Sequence, residues 1–128
     1  MNKLIIYAAN KKIFLMIISN DSIYNITHEN SKINYEKLTI IINDFLLSKN
    51  IKITDINVIY INQWSGSFAG IRNSISVVKA FNVAKNIDYY CYNLDDFKHE
   101  KDLGYENIPN LCKKYKIKKN LINPIYIS

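Results

Sequence analysis

Two of the chain's three glycines lie four residues apart in Gly66-Ser67-Phe68-Ala69-Gly70-Ile71-Arg72, and Ser74 continues the spacing. A glycine-bearing loop that runs into a helix N-terminus can cradle phosphate with its backbone N–H groups. A phosphate loop, however, takes Gly-x-x-x-x-Gly-Lys-Ser/Thr, and no Lys stands at the corresponding place. The other use of this spacing is close packing, because Gly66, Gly70 and Ser74 line one side of a helix with almost no side chain. Glycine inside a helix costs about 1 kcal/mol against alanine, and tight packing is the usual compensation. Packing on the domain's own sheet alone would suffice. Yet Phe68, Ile71, Ile75, Val77, Val78 and Phe81 spread apolar character over about half the helix circumference, and Ala69, Ala80, Val83 and Ala84 cover much of the rest. A helix of this kind is expected to be buried nearly all round, on one side by its own sheet and on the other by a partner, with Gly70 and Ser74 on the partner arc.

The remaining chemistry-bearing residues are scattered. His28 and His99 have no Cys or carboxylate at ligand spacing, so no metal site is expected. Asp95-Asp96 could meet Mg²⁺, but paired carboxylates near a helix start are ordinary favourable charges. Cys91 falls in strand-like sequence and reads as a buried small hydrophobe rather than a nucleophile. Lys113, Lys114, Lys116, Lys118 and Lys119 form a basic segment that either touches RNA phosphate or is a solvated tail. No catalytic residue and no cofactor is expected.

With 128 residues, 48% of them hydrophobic, and ten Tyr, five Phe and one Trp, the chain can fill one compact core but not two. No apolar run reaches the roughly 18 residues of a membrane span, and the first residues lack a signal-peptide cleavage site. The two cysteines form no C-x-x-C, so a reduced, cytoplasmic protein without membrane contact is expected. The net charge of +6 rests on 16 Lys against the single Arg72, beside 24 Ile and 18 Asn. These are residues with A- and T-rich codons, and sequence readers of nucleic acid favour Arg. The charge is therefore no sign of direct base reading, although weak attraction to RNA is compatible with it.

The elements that must position these residues follow from hydrophobic period. Leu4 to Ala8 and Ile13 to Ile18, joined by the polar turn Asn10-Lys11-Lys12, read as a β-hairpin, and Ile23 to His28 as a third, edge strand. Tyr35 to Lys49 has helical spacing. Leu38, Ile41, Ile42 and Phe45 make one stripe of it, while Ile40 and Leu47 make a second with no evident partner in so small a domain. Ile56 to Ile61 reads as a buried strand, Ser67 to Asn86 as a helix with Ser67 as N-cap, and Ile87 to Asn93 as a strand joined by a parallel crossover. Leu94 to Phe97 starts a helix, and Pro124 to Ile127 is a short closing strand.

The stretch Ile53-Thr54-Asp55-Ile56-Asn57-Val58-Ile59-Tyr60, the Gly66-to-Arg72 motif and Ala80-Phe81-Asn82-Val83-Ala84 together resemble the TsaB (YeaZ-like) family. Members carry a strand, then Gly-Pro-Gly-Ser-Phe-Thr-Gly-Leu-Arg, then a helix rich in small apolar residues. The resemblance runs over residues 3 to 97 and is strongest over 51 to 93; Asn123-Pro124-Ile125-Tyr126-Ile127 resembles the family's Pro-x-Tyr-Leu-Arg ending. It implies an α/β, ribonuclease-H-like lobe of the actin-like ATPase superfamily, three antiparallel strands followed by helix, strand, helix, strand. Residues 1–97 would form this N-terminal lobe and 98–128 a short C-terminal remnant or tail.

The resemblance further implies a non-catalytic scaffold subunit in the synthesis of N6-threonylcarbamoyladenosine at tRNA position 37. Such a subunit dimerises with a TsaD-like catalytic subunit, meets a TsaE-like ATPase through the complex, and touches tRNA indirectly or weakly. The partner-binding candidates are Ile40 and Leu47 on the first helix and Phe68, Gly70, Ile71, Arg72, Ser74, Ile75 and Val78 on the second. The chain departs from the family where Tyr7-Ala8-Ala9-Asn10 replaces an Asp-bearing segment and Trp64-Ser65 replaces Gly-Pro. Loss of that Asp argues against the rival reading, a nucleotide-binding or hydrolytic enzyme of the same superfamily. A self-associating, degenerate paralogue, homodimeric through the same helices, is the third reading.

Overall fold

The structure is a computed structural model that describes residues 1–9, 12–29, 31–62, 68–101 and 103–121. Five strands form one sheet in the order β3-β2-β1-β4-β5. β1 (Asn2–Ala9), β2 (Lys12–Ser19) and β3 (Ser22–Glu29) are antiparallel neighbours, with Ile6 opposite Leu15 and Leu15 opposite Ile26. β4 (Val58–Asn62) pairs parallel with β1, and β5 (Asp88–Tyr92) parallel with β4. The expected hairpin, edge strand and parallel pair are all present.

β1, β2 and β4 read as nearly continuous apolar runs because both sheet faces are covered there. Leu4, Ile6, Ile13, Leu15, Ile17, Ile59 and Ile61 point to one face, where they meet Leu38, Ile42, Phe45, Leu46, Val78 and Phe81. Ile5, Met16, Val58, Tyr60 and Tyr92 point to the other, where they meet Phe97, Ile108, Leu111 and Cys112. The alternation of side chains along a strand produces this division.

The helix expected over Tyr35 to Lys49 is two pieces, α1 (Lys32–Glu36) and α2 (Leu38–Ser48), and its backbone bonding continues across Lys37. α3 (Phe68–Lys85) links β4 to β5 and packs on α1, α2 and the sheet. It stops where expected, with Asn86 at φ 58 and its N–H bonded to the Asn82 carbonyl. The Ser67 N-cap, the two residues at the tip of the β1–β2 turn and the Pro124–Ile127 strand lie outside the described residues.

Beyond residue 93 the chain crosses to the second face. Leu94–Phe97 forms a 3-10 turn capped by Asn93, whose side chain accepts from the Asp95 N–H. Tyr105–Asn107 forms another, and α4 (Ile108–Lys114) begins with Pro109 inside its first turn. The segment expected as a remnant or tail thus supplies the layer that covers the second face. Among the described residues no helix is long and apolar enough to cross a membrane.

Candidate functional site

Helix α2 divides its surface as its two stripes require. Leu38, Ile42, Phe45 and Leu46 are buried against the sheet, while Ile40 and Leu47, one heptad apart, are each 58% exposed. On α1, Ile33 extends this outward row by another heptad and is also exposed; on α3, Val83 stands almost fully in solvent. Large aliphatic side chains repeated on one helix face are unusual for a surface that stays wet.

Helix α3 corrects part of the expectation. Ser74 and Val78, anticipated on the partner arc, are 0% and 1% exposed and face the domain's own core; Phe81, one turn on, is buried beside them. Ile75 is partly buried against the same core. Ser74 and Val78 thus serve α3's approach to its own domain. Helical phase from sequence gives the stripes but not which one faces the sheet. The side chains of Phe68, Gly70, Ile71 and Arg72 lie outside the described residues.

At the carboxyl ends of β1 and β4, where open α/β sheets commonly bind ligands, the chain has built a closure. The Asn62 side chain, buried, accepts from the Ala8 N–H at 2.9 Å and donates to the Ala8 carbonyl at 2.8 Å. The two strand ends are thereby stitched by an amide in place of a further backbone pair. Tyr7 leans against the Tyr105 ring, with centroids 5.3 Å apart. Among the described residues no group of three or more His, Cys, Asp or Glu is placed to hold a metal ion. Cys91 and Cys112 are buried free thiols whose ionisation burial pushes up to about 12, which leaves them protonated and unreactive at neutral pH.

The basic segment separates into roles. Lys114 is paired with Glu100, whose carboxyl is held below its ordinary range by the hydrogen bonds from Lys114 and Tyr115. Lys119 pairs with Asp88 at 3.5 Å. Lys113 and Lys116 instead border a pocket on the second sheet face, with Lys3, Tyr60 and Tyr90. Sequence reading missed this pocket. Its one signal was the tyrosine-rich β5, and the pairing of Tyr60 with Tyr90 depends on strand register.

The 3-2-1-4-5 sheet, with three antiparallel strands, two parallel ones and helices on its faces, is a ribonuclease-H-like α/β lobe. Solved structures with this fold include YeaZ from Pseudomonas aeruginosa, at a TM-score of 0.66 and 14% identity over 72% of this chain. The family resemblance read from the sequence and the likeness in structure therefore meet in the same protein. A second structure, of a protein described as uncharacterized and similar to peptidase YeaZ from Pseudomonas aeruginosa, matches with the same values. RuvC from T. thermophilus, solved with a Holliday junction substrate, matches at a TM-score of 0.54 and 9% identity over 77% of this chain and 68% of its own. The chain spans 43% of the length of the YeaZ structures. No protein-family model and no curated protein matches the sequence.

Proposed function

We propose that the chain is a shortened TsaB-like protein: a non-catalytic, cytoplasmic scaffold subunit that binds a TsaD-like catalytic subunit in the synthesis of N6-threonylcarbamoyladenosine in tRNA. The observation that carries this reading is the outward row of Ile40 and Leu47 on α2, which the domain leaves uncovered while burying Leu38, Ile42, Phe45 and Leu46 of the same helix. The likeness in fold to YeaZ supports the TsaB-like part of this reading. The Gly66-to-Arg72 motif supplies a second, independent likeness to the same family. Contact with a TsaE-like ATPase and with tRNA comes through the complex.

Co-expression with the TsaD-like protein of the same organism tests it. The pair should co-purify at one-to-one stoichiometry, and Ile40→Asp with Leu47→Asp should abolish this while each protein stays folded. Co-purification indifferent to both substitutions would move the interface away from α2; no complex at all would defeat the scaffold reading. A homodimer that the same two substitutions dissolve would favour the self-associating paralogue instead.

A further inference from the structure

The pocket on the aromatic face has a volume of about 500 Å³, within the range of small-molecule sites. Its lining contains three lysines, Lys3 from β1 and Lys113 and Lys116 from the end of α4, and no carboxylate. Among the described residues none of the three forms an ion pair. Lysines in the last turn of a helix are favoured by its dipole. That accounts for Lys113 but not for a third cation brought in from another strand.

Two further features mark the pocket as built. Tyr60, from the middle of β4, is only 7% exposed, yet its hydroxyl has no hydrogen-bond partner among the described residues, and the side chain lines the pocket. A hydroxyl that opens into a pocket bonds to what fills it, water or a polar atom of a ligand. Lys116 has a φ of 56, in the left-handed region. The other non-glycine residues there, Asn20, Asn50, Asn86 and Asn120, are of the type that tolerates it. Lys116 is held by the bonds that close the end of α4, its own N–H to the Lys113 carbonyl and the Ile117 N–H to the Cys112 carbonyl. Asparagine would fit that backbone better. The lysine that stands there places its charge at the pocket rim.

The walls combine flat rings with polar side chains. The Tyr60 and Tyr90 rings lie nearly parallel, 5.3 Å apart and 11° from coplanar, with Pro109 and Ile117 beside them. Cations at the rim, a planar aromatic wall and a hydroxyl in the lining are complementary to an anion that carries a flat ring. We propose that this pocket binds a nucleotide. Its phosphate meets Lys3, Lys113 and Lys116, its base lies along the Tyr90 side of the stacked pair, and the Tyr60 hydroxyl bonds to a polar atom of the ligand. The site lies toward the start of β1, where Lys3 stands, six residues and thus about 20 Å of strand from the β1–β2 turn. It is separate from the helical partner face, because it sits on the opposite side of the sheet.

Calorimetric titration of the intact chain with 5′-AMP, adenosine, inorganic phosphate and a 5′-phosphorylated oligoadenylate tests the proposal. AMP should bind saturably, with adenosine and phosphate each weaker by about tenfold or more, since each keeps only part of the recognition. Lys113→Ala with Lys116→Ala should weaken AMP by tenfold or more, and Tyr60→Phe by several-fold, without lowering the melting temperature. An oligomer that binds tenfold or more tighter than AMP would identify the occupant as a nucleotide unit of single-stranded RNA; equal affinities would identify a free nucleotide. Failure of both AMP and oligomer to bind, or binding that the double lysine variant leaves unchanged, would overturn the proposal.

Discussion

Against α2 and α3 the sheet presents aliphatic side chains, with Leu4, Ile6, Ile13, Leu15, Ile17, Ile59 and Ile61 at its centre. Against α4 and the 3-10 turns it presents Ile5, Met16, Phe14, Tyr60, Tyr90 and Tyr92, met by Phe97, Tyr105 and Tyr115. Aliphatic residues interdigitate well under long helices and carry no polar atom, so that layer is closed and can offer only its outer surface. Rings are stiff and have hydroxyls to satisfy, and a covering of short turns leaves gaps between them. One such hydroxyl is met: Tyr92, fully buried, donates to the Ile6 carbonyl at 3.2 Å. The Tyr60 hydroxyl borders the pocket instead. In this molecule aliphatic packing is joined to an external face, and aromatic packing to an internal site.

The largest effect should come from asking whether the aromatic face is as much a core as the aliphatic one. Phe97→Ala should cost about 3–5 kcal/mol in urea unfolding, comparable to about 2–5 kcal/mol for Ile59→Ala. A loss below about 1 kcal/mol at Phe97 would show that residues 94–120 are an appendage, and the comparison between two cores would fail.

Alkaline pH should separate the faces further. Burial pushes the Tyr60 hydroxyl and the Cys91 and Cys112 thiols up to about 12, and raises Tyr92 well above its ordinary value. The unfolded chain gives up these protons first, near pH 9 to 10, while the folded chain retains them. Stability from these groups is therefore whole below pH 9 and is lost as pH rises toward 12. Three of the four groups belong to the aromatic face. Urea midpoints at pH 7 and pH 10.5 should fall for the wild type, and fall less for a variant carrying Tyr60→Phe and Cys112→Ala. An equal fall in both would place the linkage elsewhere.

Asn62→Ala removes both bonds to Ala8 and leaves two backbone groups unmet, which should cost about 1–3 kcal/mol. The Tm of the purified variant measures it. The smallest effect belongs to the outer face of α2. Ile40→Asp and Leu47→Asp should each change stability by no more than about 0.5 kcal/mol, the usual range for a surface position. A larger loss on either would mean that the row serves the fold and not a partner.

These contrasts also show what the sequence could reveal. The strands along the chain and the two stripes of α2 were legible because each is a local period, and Ile40 and Leu47 stand out for want of anything left to bury them. The assignment of Ser74 and Val78 failed because a helix read alone has no inside. The second layer was illegible for another reason: Phe97, Ile108, Leu111 and Cys112 are spaced by turns rather than by a helix or strand period. The pocket was hidden further still. Lys3, Tyr60 and Lys116 meet only because β1, β4 and the end of α4 are adjacent in space.

The two margins of the sheet are treated differently. At β5, Asn120 bonds to the Tyr89 carbonyl through its N–H and takes the Tyr89 N–H with its side chain, so the border strand already has a neighbour in its hydrogen-bonding plane. At β3, Ile23, Tyr24 and Ile26 lie exposed on a strand that ends the sheet, and Lys49 over the Tyr24 ring is the shield contributed from the helices. Among the described residues, β3 is thus the more open of the two borders. Two copies meeting at β3 would cover the more open border of each, so pairing of copies in a crowded solution should begin at that strand.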